Sequence, residues 1–132
     1  MISSEDAQAQ LDARPFSAIW GYRVIEVGEG FCRLEVPYNG RWDRPGDVLS
    51  GQVYMAAADA AMWVAVMTRT ADLMAVTTSL NTAFLGAGRQ EPVVCEARVL
   101  RLGRRSVYGT AECRGADGRL LTHHTLTYAR PE

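Results

Sequence analysis

From Val53 to Met67 the chain is apolar at every position but one, Asp59. No Gly or Pro interrupts the run, and its Ala and Met are strong helix formers. A helix apolar on all sides is a buried one. Its 15 residues fall short of the roughly 20 that cross a bilayer, so the expectation is a core helix wrapped by a curved sheet. Ser50 stands at its cap. Arg69 to Asp72 ends it.

Elsewhere the pattern is shorter. Ser3 to Ala13 reads as a helix with Glu5 and Asp6 in its first turn, and Pro15 opens a second short turn through Trp20. In Phe31–Val36, Cys32, Leu34 and Val36 alternate with Arg33 and Glu35, the mark of a strand with one buried and one wet face. Tyr22–Val27 pairs with it through Gly28-Glu29-Gly30. A loop, 37–46, leads to the helix. After it come strands over Ala75–Leu85, Val93–Leu102, Ser106–Cys113 and Leu120–Tyr128, the last three joined by tight turns. The order predicts an α+β fold: one antiparallel sheet with a long central helix on one face. We read residues 1–20 as an N-terminal helical segment and 21–132 as the domain proper.

Composition narrows the chemistry. A chain of 132 residues, 48% hydrophobic and 22% charged, can hold one real core. Net charge is −1, which argues against general nucleic-acid binding. All 14 basic residues are arginine, so lysine Schiff bases and a phosphate-loop lysine are excluded. Residues 85–130 carry eight Arg against four acids, and the first 60 carry five against nine. The later half can therefore hold a small phosphorylated ligand, or simply carry solvated strand faces. Cys32, Cys95 and Cys113 form no metal motif and no disulfide framework. With an acidic N-terminus lacking a signal-peptide core and no membrane-spanning segment, the expectation is a reduced, cytoplasmic protein.

Asp59 is the anomaly. Its helical neighbours three and four residues away are Met55, Ala56, Met62 and Trp63, none of which pairs with a carboxylate. Burying an unpaired charge is costly. Either a hydroxyl, a backbone group or a second subunit meets it, or it is a functional carboxylate in a cleft. Gly51 opens the same helix, where free N–H groups and the helix dipole favour an oxyanion. Eight residues separate the two, about 12 Å along the axis, too far to serve one carbonyl from one helix. Two antiparallel copies around a two-fold would unite them, so a homodimer is expected. His123 and His124 are adjacent on a strand and face opposite ways. Trp20, Trp42 and Trp63 suit packing.

Ser50-Gly51-Gln52 with Asp59 nine positions after Ser50, then Thr77, Asn81, Phe84 and Gly86-Ala87-Gly88, then Val99 to Arg104, form a spaced set. Over about residues 20–130 the chain resembles a hotdog-fold acyl-CoA thioesterase of the phenylacetic-acid-degradation (PaaI-like) group. That family carries His-Gly-Gly at the start of its buried helix, so Ser50 and Gln52 depart from it. The resemblance implies Asp59 as base or nucleophile, the Gly51 N–H as carbonyl polariser and Thr77 as a water-positioning residue. It implies Ser50, Gln52 and Asn81 against the substrate, with Arg101, Arg104 or Arg105 meeting coenzyme A phosphates. Acyl-CoA and a second copy of the chain are the implied partners; no metal, cofactor, nucleic acid or membrane is implied. A non-catalytic acyl-CoA-binding module and a dehydratase are the alternatives. The dehydratase usually needs a His beside the acid.

Overall fold

The structure, a computed structural model, describes residues 1–70 and 72–131. Ala71, in the stretch read as ending the central helix, and Glu132, at the end of the domain, lie outside the described residues. Helix α1 (Ser4–Asp12) starts on Ser3, whose hydroxyl accepts the Asp6 N–H at 3.0 Å. Helix α2 (Pro15–Ala18) follows, with Pro at its first position. Then come β1 (Arg23–Gly28), β2 (Phe31–Val36), the two-residue strands β3 (Asp43–Arg44) and β4 (Val48–Leu49), and α3 (Gly51–Arg69). Strands β5 (Val76–Phe84), β6 (Val93–Leu102), β7 (Ser106–Arg114) and β8 (Leu120–Ala129) complete the chain. Strand β3 lies within the stretch 37–46 read as loop, and β4 in the unassigned step between that loop and Ser50, because two residues are too few to show alternation.

Six strands form one antiparallel sheet in the order β1-β2-β6-β7-β8-β5. Helix α3 lies across its inner face. Ala57, Ala58, Ala61 and Ala65 are all 0% exposed, and these small side chains let the helix sit close to the strands. Leu34, Cys95, Ala111 and Leu126 meet it from the sheet. A fully buried Leu such as Leu34 or Leu126 contributes about 1.5–3 kcal/mol. Gly109 on β7 leaves room for the end of Met62, since a Cβ there would come within 3.0 Å of its sulfur.

The helix is not wrapped all round, as its composition predicts. Gln52, Met55, Ala56, Asp59, Ala60 and Trp63 stay exposed or half-buried. They recur at spacings of three and four, so they form one stripe. Among the described residues the sheet ends at β5, which pairs only with β8, and no strand beyond it covers that stripe.

Candidate active site

Ser50 caps α3 as expected. Its hydroxyl accepts the Gln52 N–H at 3.4 Å, and its backbone is extended. The Gly51 N–H, at the first helical position, makes no hydrogen bond among the described residues. The Phe84 ring lies against Gly51: a Cβ there would sit 3.0 Å from a ring carbon. Glycine therefore brings backbone and ring together at the helix tip. Two turns on, Asp59 sits on the open stripe, half-buried.

Two hydroxyls converge on it. Thr77 Oγ1 donates to Asp59 Oδ1 at 2.6 Å. Tyr128 OH lies 2.6 Å from the same oxygen and 2.8 Å from the Asp59 carbonyl. Burial and the Asp59 charge push the Tyr128 phenol well above its ordinary pKa, so it stays a neutral donor. No hydrogen bond reaches Asp59 Oδ2 among the described residues. The carboxylate is thus oriented through one oxygen while the other keeps its lone pairs free.

That carboxylate lines a cavity of about 310 Å³. Thr77 and Tyr128 share its polar corner; Ala56, Ala60 and Trp63 of α3 and Leu11, Phe16 and Trp20 of the N-terminal segment supply apolar wall. Tyr22 also lines it and is 3% exposed. Burial raises the Tyr22 pKa, as do the nearby Cys95, Asp59 and Cys113, and its hydroxyl makes no hydrogen bond among the described residues. The arrangement can activate a water, or attack directly, beside an apolar group.

The structure joins Asp59 to Thr77 and Gly51, next to the capping Ser50, to Phe84. It keeps these two clusters apart along α3. Gln52 is exposed beside Gly51. Arg101, Arg104 and Arg105 are exposed and make no salt bridge among the described residues. Their hairpin lies at the Asp59 end of the sheet: Val107 pairs with Tyr128, and Tyr128 with Thr77. Asn81 does not join the site. It pairs with Thr125 on the face away from α3 and lies 3.4 Å from Ser79 Oγ. His124 is buried between Thr82 and Thr122 hydroxyls, each 2.8 Å away. His123 lies on the outer face, 3.5 Å from Glu112.

Tyr128, Tyr22 and the N-terminal wall are the parts that sequence reasoning missed. The alternation of β8 was a signal for the first: Thr122, His124, Leu126 and Tyr128 share the inner face, and a buried carboxylate needs a donor.

A family model described as thioesterase superfamily matches residues 46–122. A protein of Saccharolobus solfataricus named as a candidate esterase is 33% identical over 98 residues, 74% of this chain and 70% of its own. One of Thermoplasma acidophilum, named likewise, is 28% identical over 128 residues, 97% of each chain. The solved structure of the E. coli PaaI protein, from the phenylacetic acid degradation operon, is similar with a TM-score of 0.87. It is 18% identical and covers 97% of this chain and 92% of that one. A hypothetical thioesterase of Streptococcus pneumoniae, solved with coenzyme A, matches with a TM-score of 0.76 at 16% identity, over 82% and 84% of the two chains. At these identities the two structures establish a shared fold. Among the described residues, no helix is long and apolar enough to cross a membrane.

Proposed function

The chain belongs to the thioesterase superfamily, with the hotdog fold of its PaaI-like group, and is a thioester hydrolase; on that premise we propose that it cleaves an acyl-CoA at a site shared by two copies of the chain. The observation that carries this is the Asp59 carboxylate, oriented through Oδ1 and free at Oδ2, on the wall of an apolar cavity. Asp59 takes a proton from water as the water oxygen attacks the thioester carbonyl. The carbonyl oxygen gathers charge at the Gly51 N–H of the other copy, at a helix tip suited to it. The C–S bond then breaks, the acid is released, and the proton held by Asp59 passes to the coenzyme A sulfur.

Three features support the shared site. Gly51 and Asp59 lie about 12 Å apart on one helix, so a single copy cannot use both on one carbonyl. Strand β5 offers an unpaired backbone edge, a template for another strand. Its apolar side chains Val76 and Phe84 are 58% and 55% exposed. Pairing β5 with β5 about a two-fold sets the open stripes of two α3 helices side by side and antiparallel. The hairpin arginines at the Asp59 end then meet the coenzyme A phosphates, and coenzyme A is what the Streptococcus pneumoniae neighbour holds. Cys95 and Cys113 face each other across β6 and β7 as free thiols, which suits a reducing compartment such as the cytoplasm.

Two inactive variants test the shared site. Asp59→Asn removes the base. Gly51→Pro removes one N–H at the helix position where Pro is tolerated, and Ser50 already has the extended backbone that precedes Pro. The exposed Phe84 ring can give way to it. A panel of acyl-CoAs read with a thiol-reactive dye should show no release by either variant alone. Mixed dimers of the two should regain activity, because each mixed dimer holds one site with both groups intact. Mixtures that stay dead would place the whole site within one copy.

A further inference from the structure

The cavity has a second wall, built by the N-terminal segment. Resting on the acyl-CoA reading, we propose that the N-terminal segment, residues 4–20, is the specificity wall of the acyl chamber, and that the chamber takes a compact acyl group and excludes long chains. At about 310 Å³ the chamber is at the bottom of the range of roughly 300–1,000 Å³ for small-molecule sites. Asp59 lines it together with Leu11, Phe16 and Trp20, so an acyl group whose carbonyl is at Asp59 shares the chamber with these apolar side chains.

The segment is docked firmly enough to select. Gln8 clamps it to the sheet edge: its side-chain amide donates to the Tyr22 carbonyl and accepts the Val24 N–H, both at 2.7 Å. Trp20 packs on Trp42 with ring centroids 4.6 Å apart, tying the wall to the loop that leads into α3. The floor offers no free polar group from Ser17, whose hydroxyl is spent on the Leu11 carbonyl at 2.7 Å. Apart from the Tyr22 hydroxyl, an apolar tail meets mainly apolar atoms there. Phe16 stands at the rim, 77% exposed, so core packing does not explain its large ring.

The test is a profile of kcat/KM over acyl-CoAs from acetyl to palmitoyl, with phenylacetyl-CoA included, for the wild type, Trp20→Ala and Phe16→Ala. The wild type should peak at compact acyl groups. Trp20→Ala should move the peak about two carbons longer and gain roughly tenfold on the first chain the wild type rejects, the scale of one methylene in a hydrophobic pocket. Acetyl-CoA, too short to reach the wall, should be unaffected. Phe16→Ala should move the profile the same way by less, and its exposure keeps the fold safe. Equal loss on every chain length, or an unmoved profile in both variants, overturns the proposal. If the wild type cleaves no thioester, the acyl-CoA reading fails on its own. The chamber is then judged by tryptophan fluorescence with hexanoate, phenylacetate and palmitate. Quenching by the compact acids alone, extended to palmitate in Trp20→Ala, upholds the wall; equal response to all three, or none, rejects it.

Discussion

Asp59 and Glu91 are two carboxylates that the fold holds in place, and they are held differently. Glu91 sits in the turn before β6 with both oxygens occupied. Its Oε2 accepts the Arg89 N–H and an Arg119 guanidinium N–H, and its Oε1 accepts the Ala116 N–H, each at 2.9 Å. The Arg89 N–H chiefly, with the Ala116 N–H and Arg119, holds its pKa below the ordinary glutamate value, against burial. Asp59 has two donors on Oδ1 and none on Oδ2 among the described residues. A filled carboxylate ties chain segments together. A half-filled one is oriented yet still able to accept a proton. On the proposed function, the difference separates a charge that serves folding from one that serves chemistry.

The largest effect follows at Asp59. Asn is nearly isosteric and its carbonyl can still accept from Thr77 and Tyr128. Asp59→Asn should therefore keep the fold, with the melting temperature moving by no more than roughly 4 °C, about 1 kcal/mol for a domain of this size. It cannot take the proton, so kcat/KM should fall about 10²–10⁴-fold. Calorimetry beside the thiol-release assay separates the two readouts. A large loss of stability with activity per folded molecule intact would make Asp59 another Glu91.

Glu91→Gln should do the reverse. It weakens charge-assisted bonds and costs about 1–2 kcal/mol of stability near neutral pH, while kcat/KM of the folded protein stays unchanged. The pH dependence has a definite sign. A carboxylate whose pKa is lower folded than unfolded adds stability that is fully present above its unfolded pKa. That stability is lost as pH falls through the lower folded pKa. Denaturation midpoints of wild type and Glu91→Gln should thus differ at neutral pH and converge in acid, below about 4.5, the ordinary glutamate value.

Much of this was legible from residue pattern. The apolar run announced α3 and alternation announced the strands, and the lone acid of that run is the carboxylate that lines the cavity. Asn81 shows where pattern fails. Thr77 and Asn81 are four residues apart, an even spacing that puts both on one face of a regular strand. The register shifts between Thr77 and Ser79, and this bulge inverts the parity, so Thr77 faces Asp59 and Asn81 faces away. Tyr128 was hidden for a different reason. Alternation assigns a residue to a face, but which hydroxyl on a distant strand meets Asp59 depends on the β5–β8 register. The N-terminal wall was hidden because its docking depends on distant partners: Ala7 and Leu11 buried in the core, Trp20 on Trp42, and the Gln8 amide bridging to backbone atoms of Tyr22 and Val24.

The smallest effects probe the doubled donor on Oδ1. Tyr128→Phe leaves Thr77 in place, and Thr77→Val leaves Tyr128, so neither single change strips the held oxygen. Each should cost roughly threefold to tenfold in kcat/KM, the scale of one modest hydrogen bond. Removing both frees the carboxylate to turn on its own axis, and the loss should exceed the product of the single losses by about tenfold, since groups sharing one partner are not additive. The Glu91 turn offers the contrast. There the Ala116 N–H holds Oε1 while the Arg89 N–H and Arg119 share Oε2, so Arg119→Met leaves both oxygens held and should weaken the turn only by its own charge-assisted bond. A strictly multiplicative Thr77–Tyr128 cycle would mean that the two hydroxyls hold Asp59 independently, and that its orientation is set by the helix backbone instead.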